Sequence, residues 1–565
     1  MNTSVNPLIK KIREAVIGDG QLIDTSFGRK PLVYADYTAS GRPLKFIEEY
    51  IEENVLPFYA NTHSESSFTG SQSTRLREQA RNIIREAVSA NEDDQLIFCG
   101  SGATAAINKL IDILNLRLPE DLNRRNKLLE KVSSDDRPVV FIGPYEHHSN
   151  ELPWRESIAD VRVIPLDSKG QIDISLLEEK LKQAQSAKMI IGSFSAASNV
   201  TGILSDIDAV SNLLHQYNAL AFWDYAAAAP YVSIEMNDAC KEGGASKDAI
   251  FISPHKFVGG PGTPGVLVVK KKLLQNSVPS MPGGGTVLYV TPEDHQFIDD
   301  HQRREEGGTP AIIESIRAGL AFKLQQEVGT DFIEKREKEL VDTAIQRWGK
   351  NSNIDILGSS TADRLSIISM RLKHGEKDLH YGFVVALLND LFGIQSRGGC
   401  SCAGPYGHNL LGMDMAHSRK LEKEIKKGNM ILRPGWVRLN FNYFIDDETF
   451  EYLLRSVELV AEHGWKLLPY YCFDEQSGTW KFQGRQVEMP LGLNEFNFSE
   501  FEQGASGPRQ QPELQAYLDL AESEFVCDRG DCDCYILNLD ESAEALRWFV
   551  LPQEIADQSG LEQAS

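Results

Sequence analysis

The sequence has no excess of basic residues and no apolar run long enough to cross a bilayer. It contains 58 Lys and Arg against 81 Asp and Glu, for a net charge of −23. This balance argues against nucleic acid or an anionic membrane as a partner, because both require a basic surface. The first 20 residues lack the long apolar core of a secretory signal. Eight cysteines in 565 residues do not make a disulfide scaffold, so we expect a reducing, cytoplasmic location.

The length of the chain favours two or three domains rather than one core. From about residue 30 to 330, short apolar runs alternate with amphipathic stretches such as Thr74–Ala90 and Glu178–Ala187. This alternation predicts a mostly parallel β-sheet with helices on both faces. The predicted strands are Leu96–Cys99, Val139–Ile142, Met189–Ile191, Ala221–Trp223, Ala249–Ile252 and Val266–Val269.

A second, smaller α+β unit is predicted after the sheet. Its elements are a strand at Arg364–Leu372, a helix at Tyr381–Leu391, a strand at Val437–Phe441 and a helix at Glu448–His463. The acidic region 475–565, with Gly, Pro and Gln around 503–512, is expected to be a separate appendage that is partly loosely ordered. The predicted domains are 1–30 (an N-terminal segment of the small domain), 31–330 (large α/β), 331–470 (small α+β, with a cysteine loop) and 471–565 (acidic C-terminal extension).

Ligands of open α/β sheets bind beyond the carboxyl ends of the strands, and two charged residues occur there. Lys256 follows the strand Ala249–Ile252 closely. A lysine is costly in such a buried place unless it is consumed chemically, for example as an imine with an aldehyde cofactor. Asp224 ends another strand, where its carboxylate could pair with a protonated pyridine nitrogen. Together they indicate pyridoxal phosphate (PLP).

Two further strand ends fit the same cofactor. Gly100–Thr104 is a turn of small residues that leads into the helical run Ala105–Leu114. The free N–H groups and the dipole at such a helix start favour a phosphate. His147 follows a third strand and could stack on the cofactor ring and move protons. Each residue alone could be a cap or a structural group, but their joint order favours a PLP site.

With these residues in place, the sequence resembles class V aminotransferase-fold PLP enzymes, in the branch of cysteine desulfurases and molybdenum cofactor sulfurases. The likeness runs from about Tyr34 to Val460. It implies a PLP-dependent transferase of fold type I, with a mostly parallel seven-stranded sheet in a large α/β domain and a smaller α+β C-terminal domain. The motifs that carry it are YADYTASG (34–41), GSGAT (100–104), EHHSN (146–150), SNVTG (198–202), WDYAAA (223–228), SPHKFVGGPGTPG (253–265), EEGGTP (305–310), RGGCSCAGP (397–405) and VRLNFNYF (437–444).

The resemblance assigns roles by position. Lys256 matches the Schiff-base lysine, Asp224 the partner of the pyridine nitrogen and His147 the ring-stacking histidine. Thr309 matches a threonine that reaches the phosphate of the neighbouring subunit, which implies a homodimer. The other cofactor-binding positions are Gly102, Ala103, Thr104, Asn199, Ser253 and His255, and the substrate-binding positions are His63, Asn199, Arg397 and Arg438.

The resemblance also points to a sulfur-carrying cysteine. Cys402 stands five residues after Arg397, at the position of the family's nucleophile, and a nearby arginine favours the reactive thiolate. Cys400 is an accessory or alternative nucleophile. The pair could also be two loop cysteines with no catalytic role, or a redox-sensitive pair.

Several positions depart from the family pattern. Ala227 stands where desulfurases usually have a glutamine, and Ala103 replaces the first of two threonines in the phosphate turn. The polar insertion Arg419–Asn429 is expected to be a solvated loop, with a lid or a docking element as the alternative. A tail cluster of Cys527, Cys532 and Cys534 lacks a fourth zinc ligand, so no metal site is predicted there, and sulfur relay is the other interpretation.

The leading hypothesis is a PLP-dependent enzyme of the cysteine desulfurase type. It would transfer sulfur from L-cysteine to an enzyme cysteine, release alanine and pass the sulfur to an acceptor protein. The alternatives are a PLP-dependent aminotransferase, lyase or epimerase that acts on another amino acid, or a non-catalytic scaffold with the same fold. Loss of Cys402 would distinguish the first from the second, because only a desulfurase needs that thiol.

Overall fold

The computed structural model describes residues 6–62, 65–237, 245–485, 487, 492–494, 496–499, 513–527, 529 and 534–559. Within these residues, no helix is both long and apolar enough to span a membrane. The helices are Pro7–Ala15, Lys45–Tyr50, Phe68–Ala87, Gly102–Ile113, Glu120–Asn126, Leu128–Lys131, His148–Arg155, Ile174–Gln183, Ile207–Gln216, His301–Arg304, Ile312–Val328, Thr330–Trp348, Tyr381–Phe392, Gly404–Leu410, Met415–Lys426, Asp447–His463, Leu514–Val526, Glu541–Glu544 and Pro552–Ser559.

Seven strands of the described chain form the central sheet of the larger unit. Gly265–Lys270 runs antiparallel to both of its neighbours, and the other strands share one direction. The prediction of a mostly parallel sheet is therefore confirmed. From one edge to the other, the order is Asp94–Cys99, Gly265–Lys270, Ala249–Ile252, Leu220–Asp224, Ile190–Ser195, Val139–Ile142 and Asp160–Val163.

Both faces of this sheet are covered, because alternate residues of each strand enter different apolar cores. Leu96 and Phe141 belong to one core, whereas their neighbours Ile97 and Val140 belong to the other. This two-sided burial explains why the strands read as continuous apolar runs. The edge strand Asp160–Val163 was not predicted, because its residues are exposed or half-buried and form no such run.

The smaller unit contains an antiparallel sheet, and the strand predicted at Arg364–Leu372 is observed at Ile367–His374, where its first four residues are all buried rather than alternating. Among the described residues, its order is Ile354–Ile356, Ile367–His374, Trp436–Asn440 and Arg397–Gly399, with Lys377–Asp378 paired to Ile367–His374. The remaining strand pairs are Leu22–Thr25 with Gly28–Pro31, Val33–Tyr34 with Ile394–Gln395, Val287–Val290 with His295–Phe297, and Tyr471–Asp474 with Thr479–Phe482.

The insertion at 419–429 is not a solvated loop, as we had expected, but mostly helix. Met415–Lys426 is a helix that begins with Asp414 as its cap, since the Asp414 side chain accepts a hydrogen bond from the His417 N–H. Leu421 is buried in the core of the smaller unit. Ile425 of the same helix also packs against that core, and the polar composition of the segment concealed both apolar contacts.

The described part of the C-terminal extension also enters the core of the smaller unit. Its helix Leu514–Val526 packs against Asp447–His463. The buried apolar residues that the described part of the extension contributes to this core are Tyr471, Phe473, Trp480, Leu514, Leu518, Ala521, Phe525, Leu537, Ala543, Phe549, Val550, Leu551 and Ile555. The extension thus shares a core with the preceding unit instead of standing apart, and residues 503–512 lie outside the described residues. The domain boundaries themselves stay a prediction.

Candidate active site

A cavity of about 420 Å³ lies at the carboxyl ends of the central strands. It brings together most of the residues predicted from the sequence: Gly102, Ala103, Thr104, His147, Asn199, Asp224, Ser253, His255, Lys256, Arg397, Cys400, Cys402 and Arg438. Thr309 lies instead on a neighbouring cavity of about 920 Å³, which also borders Gly102 and Thr104. His63 lies outside the described residues.

Lys256 and Asp224 both line the cavity, and the charge of each affects the pKa of the other. Burial lowers the pKa of Lys256 to about 8, although the charge of Asp224 partly opposes that shift. Burial also raises the pKa of Asp224, while the Ala226 N–H, which donates to its Oδ1 at 2.8 Å, acts in the other direction. The lysine is thereby brought towards its neutral, nucleophilic form.

His147 also lines the cavity and is neutral at pH 7. Burial, with help from the charge of Lys256, lowers the pKa of His147 to about 4. Its Nδ1 accepts a hydrogen bond from the Ser149 N–H at 3.1 Å, so the neutral ring carries its proton on Nε2. The Ser149 hydroxyl lies 2.6 Å from the Thr104 hydroxyl and links the histidine to the predicted phosphate turn.

The predicted phosphate end is built from the start of the helix Gly102–Ile113. The Ser101 side chain does not cap this helix, and the Ala103 N–H donates to Ser253 Oγ at 2.9 Å. Gly102 has a φ of +57°, and a Cβ there would lie 2.8 Å from Ser253 Oγ and from the His255 ring. The sequence therefore needs glycine at this position, and first-turn N–H groups remain for an anion.

A carboxylate that the sequence analysis did not single out joins the two arginines. Arg397 and Arg438 lie directly opposite each other on adjacent antiparallel strands. Asp36 Oδ1 accepts from Arg438 Nη2 at 2.8 Å, and Asp36 Oδ2 lies 3.9 Å from Arg397 Nε. Arg438 is 3% exposed and also donates to the Asn199 carbonyl, whereas Arg397 is 50% exposed. Arg397 is thus the arginine more open to a ligand.

The two cysteines lie on one tight turn at the rim of the cavity. The Ala403 N–H donates to the Cys400 carbonyl at 3.1 Å, which closes a four-residue turn. The central residues Ser401 and Cys402 have φ values of +53° and +56°. A left-handed backbone at two consecutive non-glycine residues stores strain, and both thiols are exposed.

His148 fastens this turn to the large domain. Its backbone N–H donates to the Cys402 carbonyl at 2.8 Å, and its Nε2 accepts from the Gly404 N–H at 3.1 Å. The adjacent residue His147 lies over the Lys256 end of the cavity. One segment, 147–148, therefore fixes the cysteine turn relative to the lysine, a role that nothing in the local sequence pattern revealed.

Glu146 is a third residue whose role the sequence did not reveal. Its buried carboxyl accepts hydrogen bonds from Ser195 Oγ at 2.6 Å and Asn150 Nδ2 at 2.7 Å. Burial raises the pKa of Glu146 to about 7 against these hydrogen bonds, and the charge of Asp224 adds to the rise. Ser195 lines the cavity, so its hydrogen bond to Glu146 helps to hold that part of the cavity wall in place.

The residues present fit PLP, on two observations. The N–H groups that begin the helix Gly102–Ile113 suit its phosphate, and buried Asp224 suits its ring nitrogen. Asn199 Oδ1 is buried with no hydrogen-bond partner among the described residues, although its Nδ2 donates to the Ser401 carbonyl at 2.8 Å. Ala227 lines the cavity without a hydrogen-bonding side chain, so the glutamine of the family pattern has no substitute at that position.

Comparison with solved structures identifies the fold as that of PLP-dependent transferases of fold type I. The apo cysteine desulfurase from Thermococcus onnurineus NA1 has a TM-score of 0.64 at 21% identity, over 82% of this chain and 100% of that one. The cysteine desulfurase CsdA from Escherichia coli has a TM-score of 0.61 at 19% identity, over 81% of this chain and 99% of that one.

Sequence comparison then gives the family. The family model described as aminotransferase class-V matches residues 33–421, and the chain belongs to that family. A probable cysteine desulfurase from Staphylococcus aureus (strain Mu50) is 29% identical over 394 residues, 69% of this chain and 87% of that protein. One from Halalkalibacterium halodurans is 28% identical over 388 residues, 68% of this chain and 87% of that protein. The protein is therefore an enzyme, and its cofactor is PLP.

Proposed function

We propose that this enzyme is a cysteine desulfurase, which transfers the sulfur of L-cysteine to Cys402 and releases alanine. The observation that supports this most is the position of the cysteine turn. Cys402 and Cys400 border the same cavity as Lys256, Asp224 and Arg397. The proposal also agrees with the similarity of the chain to proteins named as cysteine desulfurases.

The residues divide the binding of substrate and cofactor between them. Arg397 holds the α-carboxylate through its exposed guanidinium fork, because that group is planar and always charged. Asp224 keeps the ring nitrogen protonated, and the helix Gly102–Ile113 binds the phosphate. When bound, PLP supplies an electron sink that acidifies the Cα proton of the amino acid.

Proton transfer is assigned to Lys256 and His147. Lys256, with its pKa lowered to about 8, accepts the Cα proton and returns a proton during release of alanine. His147 is neutral at pH 7 and carries its proton on Nε2, so it donates a hydrogen bond without adding charge.

Cys402 accepts the sulfur as a thiolate. Its Sγ attacks the sulfur of the bound cysteine, the Cβ–S bond breaks and an S–S bond forms. The electron pair of the broken bond remains at Cβ, which takes up a proton to become the methyl group of alanine. The sum is L-cysteine plus enzyme thiol giving alanine plus enzyme persulfide, with no external oxidant. An acceptor protein or a thiol then removes the outer sulfur.

The proposal includes a homodimer in a reducing cytoplasm. Thr309 borders the cavity that adjoins the phosphate end, and its hydroxyl accepts from Asn61 Nδ2 at 3.1 Å within its own chain. The hairpin Val287–Val290 exposes Leu288 and Tyr289 by 66% and 68%, which favours burial against a second copy. A reduced Cys402 requires a reducing compartment. Sedimentation that gives a monomer at micromolar concentration would contradict the dimer.

The test measures sulfide and alanine release from L-cysteine with a reductant. Lys256→Ala and Cys402→Ala should abolish both products, while Cys402→Ala keeps the absorbance near roughly 420 nm expected of a protonated PLP imine. Cys472→Ala is the matched control, because this cysteine lies outside the cavity, and it should retain full activity. Cys400→Ala tests the accessory role.

One result would favour a different activity. If Cys402→Ala stays fully active, Cys402 is not the nucleophile, and the activity of Cys400→Ala decides whether Cys400 carries the sulfur. If the wild type keeps its absorbance but releases no sulfide, the desulfurase proposal fails. Transamination, elimination or epimerisation of another amino acid would then be sought with a panel of amino acids, because Lys256 and Asp224 support those reactions equally.

A further inference from the structure

The C-terminal extension reaches the active site through a stack of aromatic rings. Trp548 stacks on Tyr381 with ring centroids 6.1 Å apart and planes at 9°, and on His380 at 5.3 Å and 23°. Trp548 lies far beyond residues 33–421, which the family model matches. We propose that Trp548 is a positioning residue for the strand Arg397–Gly399, so that the extension sets the geometry of substrate binding.

Trp548 is anchored from several sides. Its indole Nε1 donates to the Leu432 carbonyl at 3.2 Å. Its backbone carbonyl accepts from the Asp378 N–H at 3.2 Å, and the Asp378 carbonyl accepts from the Val550 N–H at 3.0 Å. The neighbouring residue Phe549 is fully buried in the core of the smaller unit. These bonds make the indole a fixed surface rather than a loose side chain.

Tyr381 connects the indole of Trp548 to the strand Arg397–Gly399. A Cβ built on Gly398 would lie 2.8 Å from Tyr381 Cδ2, and one built on Gly435 would lie 2.7 Å from Tyr381 Cε1. The phenol ring therefore presses directly on the backbone of Arg397–Gly399, where only glycine leaves room for it. Burial is the main cause that raises the pKa of Tyr381 to about 12, and the charge of Cys400 adds to this rise.

The strand carries the residues that meet the substrate. Arg397 begins it, and the turn with Cys400 and Cys402 follows it directly. The strand and Tyr381 therefore lie between Trp548 and the cavity. If the indole is removed, Tyr381 can recede and the strand can follow it. Sub-ångström to 1 Å shifts of this kind are enough to lower catalytic efficiency substantially.

The test compares Trp548→Ala with Trp465→Ala in the full-length enzyme loaded with PLP. Trp465 is a matched control: it is equally half-buried, stacks on His374 at 4.6 Å and donates its Nε1 to the Glu462 carbonyl at 3.1 Å. It does not line the cavity. Both changes remove an indole that stacks on a histidine and donates one hydrogen bond, but only Trp548 backs the strand through Tyr381.

In Trp548→Ala we expect kcat/KM for L-cysteine to fall about 10-fold, mainly through KM, since Arg397 is displaced. Trp465→Ala should stay within about twofold of the wild type. Trp548→Phe keeps an aromatic ring and should recover most of the loss. The roughly 420 nm absorbance should be the same in all, because the cofactor residues lie on the large domain.

The inference rests on the proposed function only because its test measures kcat/KM for L-cysteine. A wild type that releases no sulfide refutes the desulfurase proposal, and the same variants are then compared by titrating amino acids against the cofactor absorbance. If the wild type is active but Trp548→Ala and Trp465→Ala have equal KM, the positioning role is wrong. If Trp548→Ala does not fold, Trp548→Leu decides: a raised KM supports the role, and an unchanged KM overturns it.

Discussion

Loading of the cofactor should depend on pH in a way set by the surroundings of Lys256. The amine must be neutral to attack the PLP aldehyde, and burial lowers the pKa of Lys256 from 10.5 to about 8. At pH 7, about one lysine in ten is then neutral, against about one in 3,000 for an ordinary lysine. The protein thereby increases the reactive fraction about 300-fold.

The assay follows the rise of absorbance near roughly 420 nm after apoenzyme is mixed with PLP between pH 6 and 11. The rate should rise with pH and level off above about 8. A simple alkylamine measured in the same buffers corrects for the ionisation of PLP itself. Asp224→Asn is the informative variant: the charge of Asp224 opposes the burial shift, so its removal should move the inflection to lower pH.

Two outcomes would refute this reasoning. A rate that still increases in proportion to hydroxide up to pH 10 would mean that Lys256 titrates as an exposed lysine. An inflection that moves upward in Asp224→Asn would mean that the carboxylate does not stabilise the charged amine. Loss of PLP affinity in Asp224→Asn would not confuse the result, because the pH of the inflection is read from rates at saturating PLP.

Three further changes test other contacts. Asp36→Asn leaves buried Arg438 without its counter-charge and should lower the free energy of unfolding by about 3 kcal/mol, and an unchanged urea midpoint would contradict this. His148→Ala removes the acceptor of the Gly404 N–H and should slow single-turnover alanine release about 10-fold without changing cofactor absorbance, whereas equal rates would show that the backbone bond to Cys402 suffices. Burial lowers the pKa of His380 from 6.5 to about 3, so the unfolded state binds the proton first as pH falls below 6.5, and stability should drop by about 1.4 kcal/mol per pH unit from this group. His380→Asn should show a smaller drop between pH 6 and 5, and an identical drop would contradict the assignment.

The site residues that local patterns predicted lie near the ends of apolar strands, whereas the arginines and cysteines of the cavity were predicted only from the family resemblance. Lys256 and Asp224 were identifiable because a charged residue directly after a buried strand has few structural explanations. His147 was identifiable because it follows the end of the apolar strand Val139–Ile142. The parallel sheet then brings these ends to one edge, so local patterns were enough to assemble them into one cavity.

The residues that could not be predicted act through contacts distant in sequence. Asp36 reaches Arg438 across 402 positions, and His148 reaches Gly404 across 256. Trp548 stacks on Tyr381, 167 positions earlier in the chain. No periodicity or spacing marks such pairs, because each residue alone reads as an ordinary loop carboxylate, histidine or tail aromatic. The packing of the C-terminal extension into the core of the smaller unit could not be predicted for the same reason, because these contacts are also distant in sequence.

The charges at the two ends of the cavity differ, which suits the two different anions of the proposed function. Burial lowers the pKa values of His147 and His255 to about 4, so both rings are neutral at pH 7. At the phosphate end, attraction for an anion therefore comes from helix N–H groups rather than from a full charge. At the other end, the two arginines share one carboxylate, Asp36, which leaves a net positive charge beside the cysteine turn. In the proposed function, the α-carboxylate of L-cysteine binds at that end, which places the substrate thiol next to Cys402.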